Sequence, residues 1–318
     1  MRLVRGVMWS DVPFWTVCFI STTYLLVISP VLALGQTSSR PPAEAKSSDR
    51  LETAGLQIAL DDEGFSPGAI DGWIGRKTTL AIQFAHEAER DIKPSGQPWQ
   101  TWKIPVGFLE DIAPVPESWL ARSKLDRLGY ETIREKLAER FHVAEEFLCF
   151  LNPNIKDWSR LQEGNFIQAP VLSPRRLPRT DQIRISLSQK VIVAYDAEKR
   201  PLASFSCSIA AKKEKRPAGQ LEVRVLAPDP DYLFDPVLFV EVPEAATIKS
   251  KLMISPGPNN PVGEMWIGLN LKGYGIHGTP SPEDIGKTES HGCFRLTNWD
   301  AKRLAAMVRI GTPVIVEE

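Results

Sequence analysis

Histidine and cysteine are scarce in this chain, with four of each in 318 residues, and neither sign of charge dominates, with 38 Lys+Arg against 39 Asp+Glu. The balanced charge and the lack of a strongly basic stripe exclude the electrostatic footprint of a nucleic-acid binder. Few His and Cys also limit metal chemistry. Zinc needs three or four convergent ligands, and the sole close-spaced set is His277, His291 and Cys293, so no metal site is expected. Cys18 falls in an apolar run, leaving Cys149, Cys207 and Cys293. Three is odd, so at least one thiol lies outside any disulfide within the chain. Cys149, among Phe147, Leu148 and Phe150, reads as a buried small hydrophobe. So does Cys207, in an alternating stretch.

What is present begins with a targeting segment. Arg2 and Arg5 precede an apolar run from Val12 to Leu34, which ends at the small-residue pattern Ala33-Leu34-Gly35. This is the pattern of a secretory signal over 1–35. At about 20 apolar residues the run could also span a bilayer as an uncleaved anchor. Arg2 and Arg5 would hold that end in the cytoplasm and place the rest outside, in the periplasm or cell envelope. Residues 36–50, rich in Ser, Pro, Ala and charge, read as a flexible tether. The 26 prolines fall mostly in loops and linkers and suggest several compact units.

Residues 51–92 form the first unit. Leu56, Ala59 and Leu60 recur at helical spacing, as do Leu80, Ala81, Phe84 and Ala85. The glycine-rich stretch from Gly64 to Gly75 lies between them, with Phe65, Ile70 and Trp73 available to plug the gap. This pattern resembles the peptidoglycan-binding type 1 domain, which implies a small helical wall-binding module; a helical spacer is the other reading. Residues 93–124 read as a Pro/Trp-rich connector. In 125–172, Glu131–Phe141 and Ala144–Leu151 read as short helices. Leu151-Asn152-Pro153-Asn154 closes the second, and a turn at Gly164 leads into a short strand. This unit resembles a LysM domain, a small α+β module, with the usual first strand replaced by Leu125–Thr132. Glycan binding or a packing role follows.

From residue 180 to 318 the pattern is β-rich. Period-two alternation runs through Ile183–Leu187, parts of Lys190–Tyr195 and Leu202–Ile209, and Leu221–Val225, with a hairpin turn at Asp196–Pro201. Gly263–Leu269, Gly273–His277 and Pro313–Val316 are further strand candidates, and Asn298–Val308 reads as a helix. The expected architecture is a multidomain chain whose mostly-β catalytic domain carries a short helix and follows the two small modules.

The chemistry concentrates at Ser290-His291-Gly292-Cys293-Phe294-Arg295-Leu296, with His277-Gly278-Thr279 upstream. A thiol needs a base to become a nucleophile, and backbone donors to hold the oxyanion it creates. Together with Tyr274-Gly275-Ile276, Gly257–Gly263, Trp266-Ile267-Gly268, Thr297-Asn298 and Gly311–Val314, these residues closely resemble the YkuD-type L,D-transpeptidase catalytic family. The resemblance implies a β-sandwich with Cys293 as nucleophile and His277, sixteen positions upstream, as general base. The Gly278 carbonyl is the candidate to orient the imidazole, and the Gly292 and Cys293 amides are the candidate oxyanion donors. His291 shapes the site. Ser290 hydrogen-bonds within the motif. Arg295 either holds the loop or meets a substrate carboxylate, and Tyr274 and Trp266 wall the cleft unless Trp266 is core; Thr279 completes the substrate-facing set.

The implied reaction is acyl transfer on peptidoglycan tetrapeptide stems through a thioester, with no cofactor. The acceptor is a neighbouring stem amine, a lysine of a wall-anchored protein, or water. A non-catalytic wall-binding scaffold is the reading from a different class.

Overall fold

The computed structural model describes residues 47–94, 96–239, 242–287 and 292–318. The apolar run at 12–34 and most of the expected tether lie outside these residues. No described helix is long and apolar enough to cross a membrane. The last four tether residues are not a tether, since helix α1 starts at Ser47.

Helices α1 (Ser47–Glu63) and α2 (Arg76–Glu87) flank the glycine-rich loop, which contributes a two-residue strand, β1 (Phe65–Ser66). Leu60, Leu80, Ala81, Phe84 and Ala85 are buried at helical spacing, as the periodicity predicts, but Leu56 and Ala59 are half-buried and Ala54 and Ile58 complete the buried face of α1 instead. Gln57, also buried, ties the loop to both helices. Its Oε1 accepts from Asp71 N and Gly72 N at 3.1 and 2.8 Å, and its Nε2 donates to Thr78 Oγ1 at 3.1 Å. Gly72 has φ +76°, and a Cβ there would lie 2.7 Å from the Arg50 carbonyl oxygen, so only glycine fits.

The stretch expected to be a connector holds strand β2 (Trp99–Lys103) and helix α3 (Trp119–Arg122). Helices α4 (Ile133–Arg140) and α5 (Glu145–Leu151) and strand β3 (Phe166–Pro170) follow. β2 pairs antiparallel with β3, so β2, α4, α5 and β3 form a βααβ unit whose first strand comes from residues 99–103. The half-exposed side chains along β2 alternate imperfectly, which hid the strand in the sequence. A Thr132/Glu135 capping box starts α4. Asn152 stops α5, donating to Leu148 O and Gln168 O at 2.9 Å.

The C-terminal strands are β4 (Gln182–Ser186), β5 (Val191–Tyr195), β6 (Pro201–Ser206), β7 (Gly219–Pro228), β8 (Tyr232–Phe234), β9 (Leu252–Ile254), β10 (Met265–Leu269), β11 (Gly275–His277), β12 (Phe294–Arg295) and β13 (Pro313–Glu317), with helix α6 (Asn298–Met307) between the last two. Nine strands join in the order β1-β6-β5-β4-β13-β7-β10-β11-β12. The long strand β7 pairs with β13 through residues 219–222 and with β10 through residues 223–228, so the sheet curls and one strand serves both of its halves. Ser208 N, just past β6, donates to Arg295 O at 2.9 Å, and Arg295 N returns a bond to Ser208 O at 3.0 Å. The curled sheet encloses Ile183, Ile185, Phe205, Val223, Ile267, Ile276 and Phe294, all at most 1% exposed, and α6 packs Ala301 and Leu304 against them. Side chains of this size contribute about 2–3 kcal/mol each on burial.

The N-terminal units are built into this body. β1 pairs in parallel with β6 and covers that edge of the sheet. Phe65 and Leu60 pack with Val191 and Val193 of β5 in one cluster. Ile70 bridges to the α4–α5 turn, donating to His142 O at 2.8 Å and accepting from Ala144 N at 2.9 Å. Asp61, with no exposed surface, accepts from Arg303 of α6 at 2.8 Å and pairs with His142 at 2.9 Å. Burial raises its carboxyl, but Arg303 and the His142 contact outweigh that and hold it below the usual range.

Candidate active site

β11 and β12 run parallel, with Ile276 opposite Phe294 and His277 opposite Arg295. Alternation along a strand then sorts the side chains. Ile276 and Phe294 point into the core, while His277, Arg295 and, two residues before it, Cys293 share the other face. A three-residue strand and a two-residue strand are enough to bring His277 next to the segment that Cys293 leads into. Trp266 of β10 is the antiparallel partner of His277 and joins that face. Its indole stacks on the imidazole, with centroids 5.5 Å apart and planes at 20°. The ring lies across Gly268 and Gly275, where an added Cβ would sit 2.9 and 2.6 Å from indole atoms. Trp266 is therefore a half-buried wall against the base, and two glycines make room for it.

The His277 imidazole is buried, and its Nδ1 lies 2.6 Å from Gly278 O. A carbonyl can only accept, so Nδ1 carries the proton and Nε2 keeps its lone pair. Burial lowers the imidazole pKa to about 4; the Gly278 bond opposes this and the Arg295 charge adds to it. Cys293 is pushed up to about 11 by burial, opposed by a backbone hydrogen bond from Gly275 and by the Arg295 charge. Its Sγ approaches Gly273 O at 3.5 Å. At neutral pH both groups rest uncharged, a neutral thiol beside a neutral imidazole.

Arg295 faces both groups electrostatically and is held in turn by the charge of Asp284. An added Cβ at Gly292 would lie 3.2 Å from the Tyr274 ring, so Tyr274 borders the residue before the nucleophile. Thr279 is buried and its hydroxyl accepts from Ser281 N at 3.3 Å. That bond fixes the turn that follows His277-Gly278. Ser290 and His291 lie outside the described residues. Among the described residues no group of three His, Cys, Asp or Glu side chains could hold a metal ion.

Two contributors escaped the sequence reading. Tyr232, on the β8–β9 hairpin, titrates at about 12, raised by burial and then by the nearby Cys293 charge, so the hairpin brings a phenol to the nucleophile. Its spacing from the motif gave no signal. Asn298 was visible only inside the family phrase. Fully buried at the start of α6, it accepts from Glu264 N at 3.1 Å. Its Oδ1 lies so close to Gly263 and Gly278 that an added Cβ at either would come within 2.0 and 2.1 Å of it. A cavity of about 400 Å³ lies elsewhere, between α4 and α6, lined by residues such as Tyr130, Lys136, Glu139 and Trp299; it holds no nucleophile.

Residues 180–316 match the YkuD family, the L,D-transpeptidase catalytic domain. The match spans the curled sheet from β4 onward and contains Cys293, His277 and their neighbours. The putative L,D-transpeptidase YkuD of Bacillus licheniformis is 27% identical over 183 residues, covering 57% of this chain and 92% of that protein. The putative L,D-transpeptidase YqjB of Bacillus subtilis is 29% identical over 145 residues, covering 44% of this chain and 68% of that protein. Among solved structures, L,D-transpeptidase 3 from Mycobacterium tuberculosis aligns over 50% of this chain and 77% of that one, at 17% identity and a TM-score of 0.34. A likeness that low adds no weight to the sequence matches. His277 on β11 and Cys293, just before β12, both fall in the matched range, and the residues before 180 lie outside it.

Proposed function

We propose that this chain is an exported, cysteine-dependent L,D-transpeptidase acting on peptidoglycan tetrapeptide stems. The observation that supports this reading is His277 on β11 beside the β12 segment that Cys293 immediately precedes, with Nδ1 fixed on Gly278 O and Nε2 left as the basic atom. With both groups neutral at rest, His277 takes the thiol proton as sulfur attacks, as a general base does, and no thiolate is stored beforehand.

Sulfur bonds to the carbonyl carbon of the third stem residue. The oxyanion that forms is received by the backbone amides at Gly292 and Cys293. On collapse the bond to the terminal D-alanine breaks, and the proton held by His277 passes to the departing amine. An acceptor amine then attacks the thioester and gives its proton to His277, and the Cys293 sulfur leaves and recovers that proton. A stem amine gives a 3→3 crosslink, a protein lysine gives a protein–wall linkage, and water gives a shortened stem. Arg295 sits where a stem carboxylate would meet it, and its charge also favours the sulfur anion. The two N-terminal units, one helical and one βααβ, are proposed to contact the glycan and stem polymer around the bond being exchanged.

Mass spectrometry of the chain incubated with a disaccharide-tetrapeptide tests the reading, with Cys293→Ala beside it. A Cys293-dependent dimer that has lost one D-alanine supports transpeptidation. A Cys293-dependent tripeptide monomer moves the assignment to L,D-carboxypeptidase. Product that forms equally in both samples, or in neither with a protein acceptor also supplied, rejects the enzyme and leaves a wall-binding scaffold.

A further inference from the structure

One buried carboxylate outside the catalytic segment reaches into its centre. Glu139 lies on α4, in the unit preceding the YkuD-type segment, and is 9% exposed. Its Oε1 accepts from Asn298 Nδ2 at 2.9 Å, across 159 positions of sequence. The orientation of the Asn298 amide is fixed by its partners. Glu264 N–H can only donate, so it selects Oδ1; Pro258 O can only accept, so it selects Nδ2, which also donates to Glu139. The Pro258 contact, at 3.3 Å, is the longer of the two Nδ2 bonds. Glu139 is thus the principal anchor of a side chain whose other end presses on Gly278, and Gly278 supplies the carbonyl that holds His277 Nδ1.

We infer that Glu139 is a positioning residue for the general base: through Asn298 it sets the place of the Gly278 carbonyl, so the α4–α5 unit completes the active site. The inference rests on the assignment of His277 as base to Cys293. The chain of contacts is short, from Glu139 to Asn298 to Gly278 to His277, and each link is fully or largely buried, where a misplaced polar group finds no water to replace its partner. A small displacement of the base is enough to matter, because proton transfer needs hydrogen-bond reach between base and nucleophile. The α5 end of the same unit acts on the other side of the site. Glu283, on the loop after the base, accepts from Glu145 N at 2.7 Å.

The protonation of Glu139 fits this role. Burial, and then the neighbouring Glu264 charge, raise it to about 8, against the Asn298 bond and Lys302, with Glu135 adding to the rise. The other groups around it are Tyr130, Lys136, Arg140, His142 and Arg303, which line the adjoining cavity. At neutral pH Glu139 is mostly a neutral acceptor. Glutamine therefore reproduces both its shape and its acceptor, whereas leucine removes the acceptor and aspartate withdraws it by one methylene.

The test compares the full chain with Glu139→Gln, Glu139→Leu and Glu139→Asp. Three quantities are read: the rate of Cys293 alkylation by iodoacetamide across pH 6–10, the NMR signal of the His277 Nδ1 proton, and kcat and KM on a disaccharide-tetrapeptide. Leucine and aspartate are expected to slow alkylation and lower kcat about tenfold with KM within twofold, and to broaden the Nδ1 proton signal. Glutamine is expected to stay within about threefold of wild type. Wild-type alkylation and an unchanged Nδ1 proton in Glu139→Leu would overturn the inference. So would losses in all three variants that follow melting temperature alone. If leucine does not fold, aspartate against glutamine makes the same comparison. Alkylation and the Nδ1 signal need no peptidoglycan, so a wrong substrate assignment would remove turnover in wild type and leave these two readouts intact.

Discussion

His277 donates its Nδ1 proton to the carbonyl of its own chain neighbour, Gly278, at 2.6 Å, and the Asn298 amide oxygen occupies the space where a side chain on Gly278 would be. His277, its orienting acceptor and the group that packs on that acceptor are thus coupled, although Asn298 lies twenty positions further along, at the start of α6. A methyl group at position 278 has no room.

Gly278→Ala follows directly. Its Cβ would meet Asn298 Oδ1 at 2.1 Å, and Asn298 cannot retreat, because it is fully buried and bonded at both ends of its amide. The carbonyl must move instead. The expected result is a loss of kcat of about a hundredfold or more, with roughly 2 kcal/mol of destabilisation from overpacking. Gly75→Ala is the matched control, since φ there is −109° and nothing lies within 4 Å of its added Cβ. It should leave both quantities unchanged in steady-state assays and denaturant melts.

The resting charge state makes a second prediction. With the thiol near 11 and the imidazole near 4, no ion pair exists between those values. Cys293 alkylation in the unliganded chain should show no step below pH 8 and should keep rising beyond pH 9. A step near pH 6 would mean a stored thiolate–imidazolium pair and would sink the general-base account. Arg295→Met removes a cation that favours the thiolate, so the thiol pKa rises further. Alkylation at pH 8 should then slow by roughly three- to tenfold.

Much of this was legible in the residues. Period-two alternation at Ile183–Leu187 became β4, which places one row of side chains in a dry core, whereas β5 is buried on both faces, Ile192 and Ala194 inside the sheet and Val191 and Val193 under the N-terminal helices. The pairing of the Cys293 and His277 segments was legible because both residues sit in short glycine-flanked phrases with little other chemistry nearby, and β11 lies beside β12. β2 was not, since its tryptophans are half-exposed and it pairs with a strand more than sixty residues away. Glu139 gave no signal either. It follows Leu137 and Ala138 on a short, mostly charged helix, and only tertiary packing turns that position inward. Pairwise reach across the chain is what a local pattern cannot encode, and the contacts that assemble this site are of that kind.

Acidification should destabilise the protein through His277. The unfolded imidazole takes up its proton near 6.5, whereas the folded one does so only near 4. Between those values the unfolded state binds one proton more, so stability from this group is complete above pH 6.5 and is lost as pH falls through 4. The loss amounts to roughly 3 kcal/mol. Denaturant melts at pH 7 and pH 4.5 check it. Wild type should lose roughly 2–3 kcal/mol more than His277→Gln over that interval. Equal losses in the two proteins would show that the buried imidazole titrates normally.

The last prediction concerns how separable the N-terminal half is. Were it only a tether to the wall polymer, removing Leu51–Pro170 would weaken action on sacculi and spare small soluble stems. The contacts argue otherwise. The deletion strips β1 from the edge of β6 and the Leu60–Phe65 cover from Val191 and Val193. It leaves Arg303 without Asp61, and Asn298 without Glu139. It also removes Leu128, whose backbone donates to Pro256 O at 2.8 Å and accepts from Asn259 N at 3.2 Å. Those last bonds brace the segment between the Tyr232 hairpin and β10. The deleted chain should therefore lose activity on a soluble disaccharide-tetrapeptide as severely as on sacculi, and should lose its cooperative thermal transition. Full activity on the small substrate would mean that the curled sheet holds its site unaided and that the N-terminal half serves attachment alone.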